Sequence, residues 1–212
     1  MRSHHTLSLL FPLAMATAAC SDLPTPTLPL AEPVQTHSPA AACVNFEPPL
    51  AAGTIWGFSA GQPPLTLVHV ENGIRVYTEK FYLFGGATAY RDARIGLPPV
   101  AFSAGQAVRT LHINLIFDFT GVPFVPNSYT FDYLDPFGNQ VYENLRVNAS
   151  PVFIGELHAP PPFLAGIPVS VSSGPFFAPP SGDRGTIKVG PGVNRLTVGG
   201  QDLWIDHVCA NP

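Results

Sequence analysis

This 212-residue chain has little charge: 11% of it is Asp, Glu, Lys or Arg, with 10 basic residues against 14 acidic ones and a formal net charge of −4. A nucleic-acid surface needs a basic stripe to neutralise phosphates. None is present, so nucleic acid is excluded as a partner. Also missing is any apolar run of the ~20 residues that a membrane-spanning helix requires. The longest, residues 7–19, falls well short. No segment shows helical periodicity above its strand signal. What the chain has in quantity is proline and glycine, 25 and 19 residues, and 46% hydrophobic residues. That composition supports a real core and excludes general disorder.

The N-terminus has the pattern of an export signal: Arg2, the apolar run 7–19, then the small residues Ala16-Thr17-Ala18-Ala19. Three regions are expected: a signal peptide over 1–19, a Pro-rich tether over 20–42 and a β domain over 43–212. In the tether, Pro24, Pro26, Pro29, Pro33 and Pro39 block helix and favour polyproline geometry, at ~3.1 Å per residue. Thr17-Ala18-Ala19-Cys20 resembles the lipobox of bacterial lipoproteins, although that family prefers Leu where Thr17 stands. The resemblance implies that Cys20 is acylated, that membrane contact is through this anchor alone, and that the protein sits on the cell envelope, at the outer membrane or cell surface. Cleavage near Ala18 or Ala19 with free secretion is the alternative.

There are three cysteines, Cys20, Cys43 and Cys209. An odd count in an exported chain leaves one thiol to explain. If Cys20 carries lipid, Cys43 and Cys209 remain to pair in an oxidising compartment. Two unrelated buried thiols are the other reading.

From Cys43 onward, apolar residues alternate with polar ones at period two, the mark of half-buried strands. Leu111, Ile113, Leu115, Phe117 and Phe119 are the clearest series; Tyr129, Phe131 and Tyr133, and Leu145 and Val147, repeat it. Further strands are expected at 44–47, 65–70, 74–78, 80–84, 152–157, 167–172, 186–189, 195–198 and 203–208. Asn72-Gly73 is a hairpin signal, Asp135-Pro136-Phe137-Gly138-Asn139 is a turn, and Asn148-Ala149-Ser150 reads as a turn. About a dozen short strands with such turns predict an all-β antiparallel sandwich. Phe58-Ser59-Ala60-Gly61-Gln62 recurs as Phe102-Ser103-Ala104-Gly105-Gln106, which reads as one loop solution used twice.

Catalytic signals are sparse. Gly57-Phe58-Ser59-Ala60-Gly61 matches the G-x-S-x-G nucleophile elbow, which would make Ser59 a hydrolase nucleophile. The elbow needs a helix after the serine, and Gln62-Pro63-Pro64 opposes one. The histidines lack ligand spacing. The chain is therefore expected not to be an enzyme.

The domain opens on Cys43-Val44-Asn45-Phe46-Glu47 and closes on Leu203-Trp204-Ile205-Asp206-His207-Val208-Cys209. Antiparallel pairing about a Cys43–Cys209 bridge would set Glu47 beside Ile205 and near Asp206. Two such acids repel unless a cation lies between them, and calcium, a hard cation with oxygen ligands, is the candidate. These terminal strands, with Phe-Glu at one end and Ile-Asp-x-Val at the other, resemble those of jelly-roll carbohydrate-binding modules. The resemblance implies a jelly-roll-like sandwich, a structural calcium at Glu47 and Asp206, and a glycan ligand. No other cofactor is expected. Asp206-His207 departs from the module pattern, in which many members carry a second acid or an Asn; solvated strand ends are the alternative for both acids. Trp56, in a Gly-rich stretch, is a candidate sugar-stacking residue. The sequence thus reads as a binding domain whose partner is a glycan or an envelope protein, with a ligand-free structural or protein-interaction domain as the alternative.

Overall fold

The computed structural model describes residues 39–57, 65–80, 92–99, 105–138, 142–176 and 182–212. All belong to one compact unit, residues 37–212. The first 38 residues, including Cys20, and the stretch carrying Ser59 lie outside the described residues.

The described chain is all-β and antiparallel, with a sandwich-like architecture. Its strands are β1 (Ala42–Val44), β2 (Ile55–Gly57), β3 (Leu65–Glu71), β4 (Ile74–Lys80), β5 (Asp92–Gly96), β6 (Ala107–Asp118), β7 (Ser128–Asp135), β8 (Asn144–Val147), β9 (Phe153–Ile154), β10 (Phe163–Leu164), β11 (Ile167–Phe176), β12 (Gly182–Val189) and β13 (Arg195–Asn211). They form one extended antiparallel sheet, not a closed barrel, with main order β10-β11-β12-β7-β13-β6-β4-β3.

Two long strands let one sheet serve two layers. The second half of β6 pairs with β4, and its first half pairs with β5. The first half of β13 pairs with β8, and its second half pairs with β7 and β1. The main hydrophobic core collects residues from both sets: Val76, Leu115 and Val198 from one, Phe131, Ile187 and Ile205 from the other.

The change of layer is made by bulges, visible as switches in side-chain parity. In β13 the core residues are Leu196 and Val198, then Leu203 and Ile205, then Val208 and Ala210. The first switch coincides with register shifts around Gln201, where Asp202 has φ 61°. The second falls between Asp206 and Cys209, where His207 has φ 50°. On β6, His112 at φ 54° does the same opposite the first bulge. Each extra residue in left-handed geometry turns the following side chains over and bends the strand. Two expectations are corrected here. The segments 195–198 and 203–208 are one strand, because Gly199-Gly200 and the bulge carry it round the corner. Leu111 does not share the core face of Ile113, Leu115 and Phe117, because His112 lies between them.

The Asn72-Gly73 hairpin forms as expected, with φ 49° and 83° at the two turn residues. Both angles are positive, as a type I′ turn requires. Asn148 forms its turn by accepting from the N–H groups of Asn194 and Arg195 and donating to Gly192 O.

Cys43 and Cys209 are disulfide-bonded, 166 residues apart in sequence and 4.0 Å apart at Cα. The flanking register, Ala42↔Ala210 to Val44↔Val208, is the one the bridge implies. In the chain-entropy account, closing a loop of this length contributes about 5 kcal/mol.

Candidate functional site

The residues expected to hold calcium do not form a common site. The β1–β13 register ends at Val44↔Val208, because Phe46 adopts φ 56° and turns the chain away. The Glu47 carboxylate instead accepts from Gln106 N at 2.7 Å, while Gln106 Nε2 donates to Phe46 O and Leu50 O. Glu47 is thus a clamp between two loops. Asp206 is buried in β13, opposite Asp132 of β7. Neither acid belongs to a group of three or more metal-capable side chains among the described residues. Trp56 is corrected as a stacking platform. It is 8% exposed, packs against Phe46 and lies nearly parallel to the His69 ring, with centroids 6.2 Å apart. Its strand β2 pairs with β5, so the Gly-rich stretch carries a short strand whose central side chain points inward.

Two other constellations emerge. The first is a pocket of about 310 Å³ at the β6–β13 corner, lined by Arg94, Arg109, Leu111, His112, Gln201 and Asp202. Arg94 and Arg109 are direct cross-strand partners, a like-charge pairing that destabilises a sheet unless it is compensated. The compensation is local. Arg94 makes three hydrogen bonds to Asp92, and Arg109 donates to Asp202. The bulges place the rest: His112 and Asp202 are the residues in left-handed geometry, and the His112 ring meets Tyr142 edge-on at 6.2 Å. The pocket therefore offers guanidinium and amide donors, a carboxylate acceptor, an imidazole and one apolar wall.

The second constellation lies at one end of the core. Tyr129, Phe131, Tyr133 and Asp135 share one face of β7. Ile187 and Val189 share the inward face of β12 with Asp183. Glu143 precedes β8 in phase with Leu145 and Val147. Each inward stripe thus ends in an acid, and the three carboxylates converge, with one oxygen from each within 4.8 Å of the others. Close backbone approach permits this. Asp183 pairs with Asp135 in register, and a Cβ on the adjacent Gly182 would fall 2.1 Å from Asp135 O.

The trio is deeply buried: Asp135 and Glu143 are 1% exposed and Asp183 is 8% exposed. Asp135 Oδ1 accepts from the N–H groups of Phe137 and Gly138, closing the predicted turn. Glu143 Oε2 accepts from Leu157 N at 2.5 Å. Asp183 Oδ2 accepts from the Tyr133 hydroxyl at 2.8 Å and lies 3.3 Å from His158 Nδ1, whose Nε2 is 2.9 Å from Glu156. Glu143 Oε1 and Asp183 Oδ1 have no hydrogen-bond partner among the described residues. Burial, with the repulsion of Asp135, Asp183 and Glu156, pushes the Glu143 carboxyl up to about 9 against the pull of Leu157 N–H. Burial also raises Asp183, more than the Tyr133 hydroxyl and His158 lower it. His158 thus stands between the carboxylates of Glu156 and Asp183.

The fold and these constellations define an antiparallel, sandwich-like, disulfide-closed all-β domain. No family model, curated protein or solved structure matches the chain.

Proposed function

We propose that this protein is an exported binding domain of the cell envelope, tethered through Cys20, that holds a short saccharide in the Arg94–Arg109 corner pocket and performs no chemistry on it. The observation that carries this reading is the pocket's lining. Small-ligand sites fix orientation and specificity through a few placed polar groups on a largely preformed scaffold. Arg94, Arg109, Gln201, Asp202 and His112, fixed on paired strands and bulges, supply that set. The ion pairs keep the guanidiniums oriented before any ligand arrives, which lowers the ordering cost of binding.

Titration of the purified protein with a panel of envelope oligosaccharides tests the proposal. A member of the panel should bind; Arg109→Ala should weaken it about tenfold or more, the loss of a charge-assisted hydrogen bond, and Gln201→Ala about threefold to tenfold, the loss of a neutral one. Absence of binding across the panel would favour a second reading, a protein-interaction domain. That reading has its own support: β3, at the end of the main strand order, exposes Leu65, Leu67 and Val70, as an edge that receives a partner strand would. Globomycin treatment tests the anchor. Precursor should accumulate, and Cys20→Ala should release the protein to the medium.

A further inference from the structure

We propose that Asp135, Glu143 and Asp183 bind one calcium ion at the end of the core where β7, β8 and β12 converge. The inference is independent of the saccharide reading, since none of these residues lines the corner pocket.

Acids that decorate a surface point to water; these three continue the inward stripes of their strands and are almost wholly buried. Two of their oxygens, on Glu143 and Asp183, find no donor among the described residues. A buried, unpaired carboxylate oxygen is costly, and in native structures such atoms are rare enough to call for a missing partner. Glu143 has no Arg or Lys against it among the described residues, and its remaining neighbours raise the cost. The missing partner is thus positively charged and small.

Geometry and ligand type select calcium. Every donor in the trio is a hard carboxylate oxygen. Two ligands of one calcium ion, at ~2.3–2.6 Å each, stand at most about 5 Å apart, and the three oxygens all lie within 4.8 Å of one another. Magnesium, at ~2.0–2.1 Å, would need a tighter and strictly octahedral set.

Calorimetry and thermal melting of the purified protein with calcium chloride test the site. The expected result is saturable binding at one site and a melting temperature that climbs with calcium concentration. Glu143→Gln supplies a control of nearly the same shape that keeps an acceptor for Leu157 N. It should stay folded in chelator, yet bind calcium at least tenfold more weakly. Asp183→Asn, which keeps an acceptor for Tyr133, should also lose affinity. Identical wild-type melting curves in chelator and in millimolar calcium would overturn the proposal. Wild-type calcium affinity in Glu143→Gln would overturn it too, by placing the ion elsewhere.

Discussion

Asp118 and Glu143 expose almost equally little surface, 2% and 1%, but protein surrounds Glu143 far more thickly, and their carboxyl groups are driven in opposite directions. Burial pushes Asp118 up, but Thr120 donates to Oδ1 through both its hydroxyl, at 2.7 Å, and its N–H, at 2.9 Å, and Arg75 and Arg195 stand 3.5 and 3.7 Å from Oδ2. The sum lies below the ordinary carboxylate value. Glu143 meets one N–H and three other acids, and its carboxyl is driven far above that value. Low exposure alone does not decide whether an acid is charged; how thickly protein surrounds it and which groups face it do. At Asp118 the chain supplies its own counter-charges. At Glu143 the described residues supply none, and its carboxyl is left to a proton or a metal ion.

The comparison can be broken most directly with pH. In chelator, Glu143 has a folded-state value, about 9, above its ordinary value of 4.5. Its contribution is therefore fully present below about pH 4.5 and is lost as pH rises through about 9. Wild-type stability should fall by about 2–4 kcal/mol along this alkaline limb, a discounted figure for so large a shift. Glu143→Gln should flatten the fall, as read by urea denaturation. Asp118 has the opposite sign. Its contribution is present above its ordinary value of 3.8 and is lost as pH falls through its lower folded value. A wild-type curve flat from pH 5 to 9 in chelator would mean that Glu143 is not held as described.

Next in size is the truncation Asp118→Ala, which strands Thr120 and two guanidiniums. It should cost about 2–3 kcal/mol at neutral pH, measured as a shift in denaturation midpoint. A loss below about 0.5 kcal/mol would show that water replaces the carboxylate without penalty. The smallest effects belong to Arg75→Ala and Arg195→Ala. Both guanidiniums are substantially exposed, 42% and 52% over their side chains, so each deletion should cost about 1 kcal/mol or less. A larger loss would make these pairs, rather than Thr120, the reason Asp118 stays charged.

Much of this architecture was legible in the sequence, and the failures have physical causes. Alternation and turn residues identified the long strands and the antiparallel class, and cysteine arithmetic identified the bridge. Alternation also held the bulges, as changes of parity at Asp202 and His207, but continuous numbering across Leu111 to Phe119 hid the one at His112. Asp92–Gly96 was missed because two of its five residues are charged and face outward. The acid trio was half legible. Asp135 and Asp183 stand in phase with core residues of their own strands, and Glu143 with those of the strand it precedes, a local warning in an amphipathic pattern. Their convergence, like the pairing of Arg94 with Arg109, depends on which strands become neighbours, which no local period encodes. Trp56 misled because glycines on either side suggested a loop, whereas three paired residues suffice to turn a side chain inward.

The bridge between the two ends of the domain has a mechanical consequence. Cys209 lies in β13, which is held by β7 on one side and by β6 and β1 along the other. Tension applied upstream of Cys43 cannot peel β1 away and unravel the domain from its edge. It passes through the sulfur atoms into a strand anchored on both flanks. The 166-residue span between the cysteines is locked out of any extension until the bond is reduced. Under load, the domain itself should therefore not lengthen while the bond is intact.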